Sequence, residues 1–139
     1  MPIYRTRPLT KTAIKRIVNF IRSRLGIEKG KPFPVIEYIE HCLSGLIKNE
    51  YIFLIVEDKD LKENYAETDI KNKIMRIRES VYEKACNGDE FGLKILKHEL
   101  GHYFLHDCVE AIFPKNESEV KIRMIEDPEW QADVFADYI

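Results

Sequence analysis

What this chain lacks narrows it quickly. Its longest apolar run, residues 51–56, is far short of the roughly 20 residues that span a bilayer. Cysteine is scarce: Cys42, Cys86 and Cys108 are odd in number and no two form a C-x-x-C pair. That argues against both a disulfide framework and a cysteine zinc site, and points to reduced thiols in a cytoplasmic protein. The opening Met1-Pro2-Ile3-Tyr4-Arg5-Thr6-Arg7-Pro8 has no apolar core of a secretory signal. Internal repeats and low-complexity stretches are missing too.

What is present suits one soluble domain. The 139 residues are 45% hydrophobic and 33% charged, enough for a single modest core. The net charge of −2 is unevenly spread: residues 1–31 carry nine Lys/Arg against Glu28 alone, +8, which leaves −10 for the remainder. A basic first helix could meet nucleic acid or an acidic partner. A solvated helix face explains the same charges, and no aromatic–basic interleaving favours the sharper reading.

Periodicity then places the elements. Ile14, Ile17, Val18, Ile21 and Leu25 form one stripe of a helix over 10–25, with Thr10 or Thr12 as cap and Gly26 as stop. Ile36, Ile39, Leu43 and Leu46 mark a second helix, 34–48. Residues 51–56 are aromatic and β-branched and read as a buried strand. Residues 57–72 are polar and read as a loop. Residues 73–78 mix apolar and basic side chains, as an edge strand does. A short helix is expected over 80–86. A long one follows over 89–106, with Asn87 and Glu90 resembling a capping box and Asp89 as the rival cap. Pro128 suits the first turn of a last helix. The expected fold class is α+β, a small sheet beside the long helix with helices on its other face.

The long helix carries the chemistry. Lys97-His98-Glu99-Leu100-Gly101-His102-Tyr103 holds an H-E-x-x-H motif. Residues four apart share a helix face, so both imidazoles can reach one ion. Glu99, on the adjoining face, can act as a proton acceptor instead of a ligand. A catalytic zinc needs a third protein ligand and an open position. His106 continues the face but lies roughly 12 Å from His98 along the axis, too far to share an ion in an unbroken helix. It suits a role behind the ligands or at the helix end. Glu129 and Asp133, i and i+4 on the last helix, are the better pair: Glu129 as ligand, Asp133 as acceptor for a ligand ring's free N–H. Ordinary capping explains an acid after Pro128 equally well, and Glu126 and Asp127 stand nearby. Tyr82, Tyr103, Arg76 and His106 are all candidate donors to an oxyanion.

His98-Glu-Leu-Gly-His-Tyr-Phe-Leu-His106, followed by Glu129-x-x-Ala-Asp-x-Phe-Ala136, resembles the ImmA/IrrE family of metallo-endopeptidases. The segment from Ile77 to Asp89 is similar to what precedes the zinc helix in phage-related members. The likeness covers about residues 73–139; the two N-terminal helices agree only in architecture. It implies zinc held by His98, His102 and Glu129, Glu99 as general base, and a glutamate-zincin site in which Asp133 orients a ligand histidine. Many members carry Asn at the Asp133 position. With the chain's length fitting one domain, a single metallopeptidase domain over 1–139 is expected, with a helical segment over 1–48 and the strands and zinc-site helices over 49–139. Its partner would be a separate helix-turn-helix repressor whose cleavage relieves repression in prophages or mobile elements. Neither a membrane nor direct nucleic-acid binding is expected: helices 10–25 and 34–48 are separated by more than the tight turn of a DNA-reading motif. Two rivals stay open. One is a zinc-site module that sequesters a repressor without cutting it. The other is a toxin-like component of a two-gene system acting through Arg16, Arg22 and Arg24. Strand 73–78 is the expected docking edge for an extended substrate.

Overall fold

The structure is a computed structural model and describes residues 3–43, 51–107, 109–112 and 122–139. It is a mixed α+β fold of two small sheets and five helices among the described residues. Helix α1 (Lys11–Arg24) starts at Thr10, whose side chain accepts from Ala13 N, and stops where Gly26 turns to φ +70°. Ile14 and Val18, on its apolar stripe, are fully buried. Helix α2 (Val35–Tyr38) widens into a π-type turn over Ile39–Leu43. The rest of the expected second helix, 44–48, lies outside the described residues, as does Cys108.

The larger sheet holds β2 (Ile52–Val56), β3 (Ala66–Asp69) and β4 (Ile74–Arg78) in the order β2-β4-β3. Three expectations fall here. The 57–72 stretch is not all loop, because Ala66–Asp69 forms β3 and pairs antiparallel with β4. Strand β4 is not an edge: it is flanked by β2, which runs parallel, and by β3. Its alternation is that of a central strand, Met75 and Ile77 fully buried beneath Arg76 and Arg78. Arg76 pairs with Glu67 across the ladder, and Arg78 donates to the carbonyl of Leu61. The positive charges that suggested an edge are thus used inside the sheet. Nor is 51–56 a buried strand. Tyr51 is 6% exposed, but Ile52, Leu54 and Ile55 are 52%, 40% and 47% exposed.

Strand β4 runs directly into α3 (Glu79–Cys86), whose first turn is held by Asp58 Oδ1 accepting from Ser80 N at 3.1 Å. Helix α4 (Glu90–Leu105) follows, and α5 is Pro128–Tyr138. The rival cap prevails on α4: Asp89 accepts from Gly92 N at 3.0 Å. Helix α4 is the hub, packed on β3, α2, α3 and α5, while α5 also packs on α1. Two glycines make these contacts close. A Cβ on Gly92 would meet Ala85 N of α3 at 2.8 Å, and one on Gly101 would meet the Cα of Ala132 on α5 at 2.9 Å. Leu96 and Leu100 of α4, Phe135 of α5, Met75 and Ile77 share one core with Ile14 and Val18.

A second, two-stranded sheet has no counterpart in the sequence pattern. Strand β1 (Ile3–Arg5) pairs antiparallel with β5 (Glu110–Ile112). It brings the first described residues to the end of the metal-motif helix. Part of the basic N-terminal charge has internal work as well. Arg22 donates to the carbonyls of Glu28 and Lys31 and to the backbone oxygen of Ile139, and Lys15 lies over the Tyr138 ring at 5.4 Å. No helix among the described residues is long and apolar enough to cross a membrane.

Candidate metal centre

Helices α4 and α5 bring the motif together. His98 and His102 are one turn apart on α4, and Glu129 enters from the first turn of α5. Local sequence fixes that entry. Pro128 opens the helix, and Asp127 caps it by accepting from Glu129 N at 2.9 Å. The ligand-type atoms of His98, His102 and Glu129 all lie within 4.8 Å of one another. His98 Nε2 is 3.2 Å from His102 Nε2 and 2.9 Å from Glu129 Oε2, and His102 Nε2 is 3.3 Å from Glu129 Oε1. Two imidazole nitrogens and a carboxylate converging this way are a donor set for a divalent metal, and nitrogen–oxygen sets of this kind suit zinc among others. Glu126 and Asp127 do not join the group: Glu126 pairs with Arg123, and Asp127 is the cap.

The charges agree with the geometry. Burial opposes protonation of His98, but its hydrogen bond to Glu129 and the charges of Glu99, Glu129 and Asp133 outweigh it and lift the pKa to about 9. The adjoining rings of His102 and His98 hold Glu129 far below the usual carboxylate range. At neutral pH the metal-free His98 and Glu129 thus form an ion pair.

The sequence-predicted surroundings fall into place unevenly. Asp133 Oδ1 accepts from His98 Nδ1 at 2.7 Å, leaving Nε2 for a metal. His106 sits just past α4, with Nδ1 2.9 Å from His102 Nδ1 and the ring turned inward. Burial pulls its pKa down to about 4, so it is neutral. It is no ligand of this group. Glu99 is buried, which raises its pKa, and its Oε1 accepts from the Thr68 hydroxyl at 2.8 Å. Thr68 gave no signal in the sequence because it lies in the polar stretch expected to be loop. Gln131, whose amide oxygen lies 2.9 Å from His106 Nε2, gave none either, since one amide on a helix carries no periodic or motif signal.

An open cleft of about 1390 Å³ runs over Glu99, His98, His102, Glu129 and Asp133. Strand β3 forms one wall, and Ile3, Tyr4, Val109 and Met124 stand on another. Tyr65 and Phe91, an edge-to-face pair at 5.2 Å, stand exposed in it. Tyr82, Tyr103, Arg76 and His106, the expected oxyanion donors, do not line it. Tyr82 packs on Phe53, Tyr103 on Tyr51 and Tyr38, Arg76 pairs with Glu67, and His106 faces Gln131. Comparison of the chain with protein-family models, with curated proteins and with solved structures finds no match.

Proposed function

We propose that this chain is a zinc-dependent endopeptidase of the glutamate-zincin type, related to the ImmA/IrrE metallo-endopeptidases, that cleaves a separate helix-turn-helix repressor. The observation that carries the reading is the convergence of His98, His102 and Glu129 beside a buried carboxylate in an open cleft. The cleft exceeds the roughly 300–1,000 Å³ of small-molecule pockets, which favours a polymer segment as substrate. A zinc ion bound here would supply Lewis-acid polarisation of the scissile carbonyl. Glu99 takes a proton from the attacking water and returns it to the leaving amine. Burial raises its basicity for that task, and the Thr68 hydrogen bond fixes its rotamer. Among the described residues strand β3 is hydrogen-bonded to a neighbour on one side only, so its other edge can pair with an extended peptide. It takes the docking role that the sequence suggested for 73–78.

The test is a proteome-wide map of new protein N-termini in host cells expressing the chain or its Glu99→Gln variant. A dominant cut in a helix-turn-helix regulator, seen only with the unaltered chain, is the expected result. Identical maps, from a variant that still binds zinc, overturn peptide-bond hydrolysis and leave sequestration of a repressor.

A further inference from the structure

Behind His102 lies a buried chain of polar groups that the proposed chemistry does not use. His102 Nδ1 is 2.9 Å from His106 Nδ1, and His106 Nε2 is 2.9 Å from Gln131 Oε1. Gln131 Nε2 donates to two backbone carbonyls, Arg7 O at 2.8 Å and Ile125 O at 2.7 Å. His106 is 2% exposed and Gln131 0%. These carbonyls belong to two segments tied to each other, Thr6 N donating to Glu126 O and Leu9 N to Ile125 O, both at 2.9 Å.

The far end of this chain dictates its polarity. A carbonyl can only accept, so two of them fix which end of the Gln131 amide is nitrogen. Its oxygen must then face His106 and accept. His106 Nε2 therefore carries a proton and donates. In a neutral imidazole the other nitrogen is bare, so His106 Nδ1 accepts. His102 Nδ1 must then donate, which in the neutral ring that a metal requires leaves the lone pair of His102 Nε2 directed at His98 and Glu129. With the amide reversed, His106 would present N–H to His102, and the two rings could hydrogen-bond only if His102 kept its proton on Nε2.

We infer that Gln131 is a positioning residue for the metal centre, setting the tautomer of His102 through His106 from the carbonyls of Arg7 and Ile125. It touches no ligand atom of the site and acts on it two residues removed. The inference rests on His98, His102 and Glu129 being metal ligands. Hydrogen-bond partners behind a ligand histidine change metal affinity roughly 10–100-fold when removed.

Two measurements test it. In the long-range proton–nitrogen spectrum of the zinc-loaded protein, His106 is expected with Nε2 protonated and Nδ1 bare, and His102 with Nδ1 protonated. Gln131→Met, which keeps the length of the side chain and loses the amide, is expected to bind zinc roughly 10–100-fold more weakly in competition with a chromophoric chelator. A proton on His106 Nδ1 overturns the inference whether or not the variant folds. So does a folded Gln131→Met protein with unchanged zinc affinity. If the unaltered chain takes up no zinc, the metal centre itself is refuted, and this inference with it.

Discussion

Replacing Gly101 by Ala tests how the site is built. In an isolated helix the change is favourable by about 1 kcal/mol. Here the added Cβ would stand 2.9 Å from Ala132 Cα and 3.1 Å from Ala132 O, where carbon contacts begin at about 3.5 Å, so the two helices must part by about 0.6 Å. Overpacking of this kind costs about 1–3 kcal/mol, leaving a net loss of about 0–2 kcal/mol after the helix-propensity gain, or about 0–8 °C in Tm. The site suffers in a second way. His98 and His102 stand on one side of the contact and Glu129 on the other, and ligand distances in a metal site are held within about 0.2 Å. Parting the helices therefore weakens zinc binding more than it weakens the fold. Gly92→Ala is the control. It meets Ala85 N at 2.8 Å and Val81 O at 3.0 Å, at a crossing that carries no ligand. Thermal melting and chelator competition on both variants are the assay. Neither should melt higher, and only Gly101→Ala should bind zinc more weakly. A Gly101→Ala protein with unchanged zinc affinity, or a Gly92→Ala protein weakened equally, refutes the reasoning.

Stability should respond to pH in opposite senses with and without metal. In the metal-free protein the His98 pKa is raised from 6.5 to about 9, so its contribution is full below 6.5 and is lost as pH rises toward 9. Coordination needs the bare nitrogen, so zinc affinity should rise over that same window. Melting curves of chelator-treated and zinc-loaded protein at both ends of it check the signs; a metal-free protein that gains stability from 6.5 to 9 contradicts them. Asp89→Ala removes the cap of α4 and should cost about 1 kcal/mol in denaturant unfolding while leaving zinc stoichiometry intact.

The helices and the candidate ligands were legible for a physical reason. Apolar spacing of three and four marked α1 and α4, and two histidines one turn apart fall on one face of any helix. Pro128 marked the start of α5, which put Glu129 and Asp133 together. The sheet was harder to read. Ala66-Glu-Thr-Asp69 has neither β-branched density nor clean alternation, and only its pairing with β4 makes it a strand. Missing β3 turned β4 into an edge and gave the expected docking role to a strand that is paired on both sides. Strands β1 and β5 are three residues each, stabilised by a partner more than a hundred positions away that no local pattern announces. The same separation hid Gln131, whose role exists only when Arg7 and Ile125 arrive beside it.

That separation also orders events in folding. Arg7 and Gln131 are 124 positions apart, and His98 and Glu129 are 31 apart. Loop closures of that span are formed late, after local helices and hairpins, because their entropy is lost before any contact repays it. A growing chain carries His98 and His102 on a nascent α4 before Glu129 exists, and the groups that orient His102 join only when both ends of the domain have docked. The three-residue donor set therefore exists only once α5 has docked on α4. A half-made chain holds a histidine pair and a carboxylate with no third ligand beside them, so whatever chemistry the centre performs waits until α5 has been made and has docked on α4.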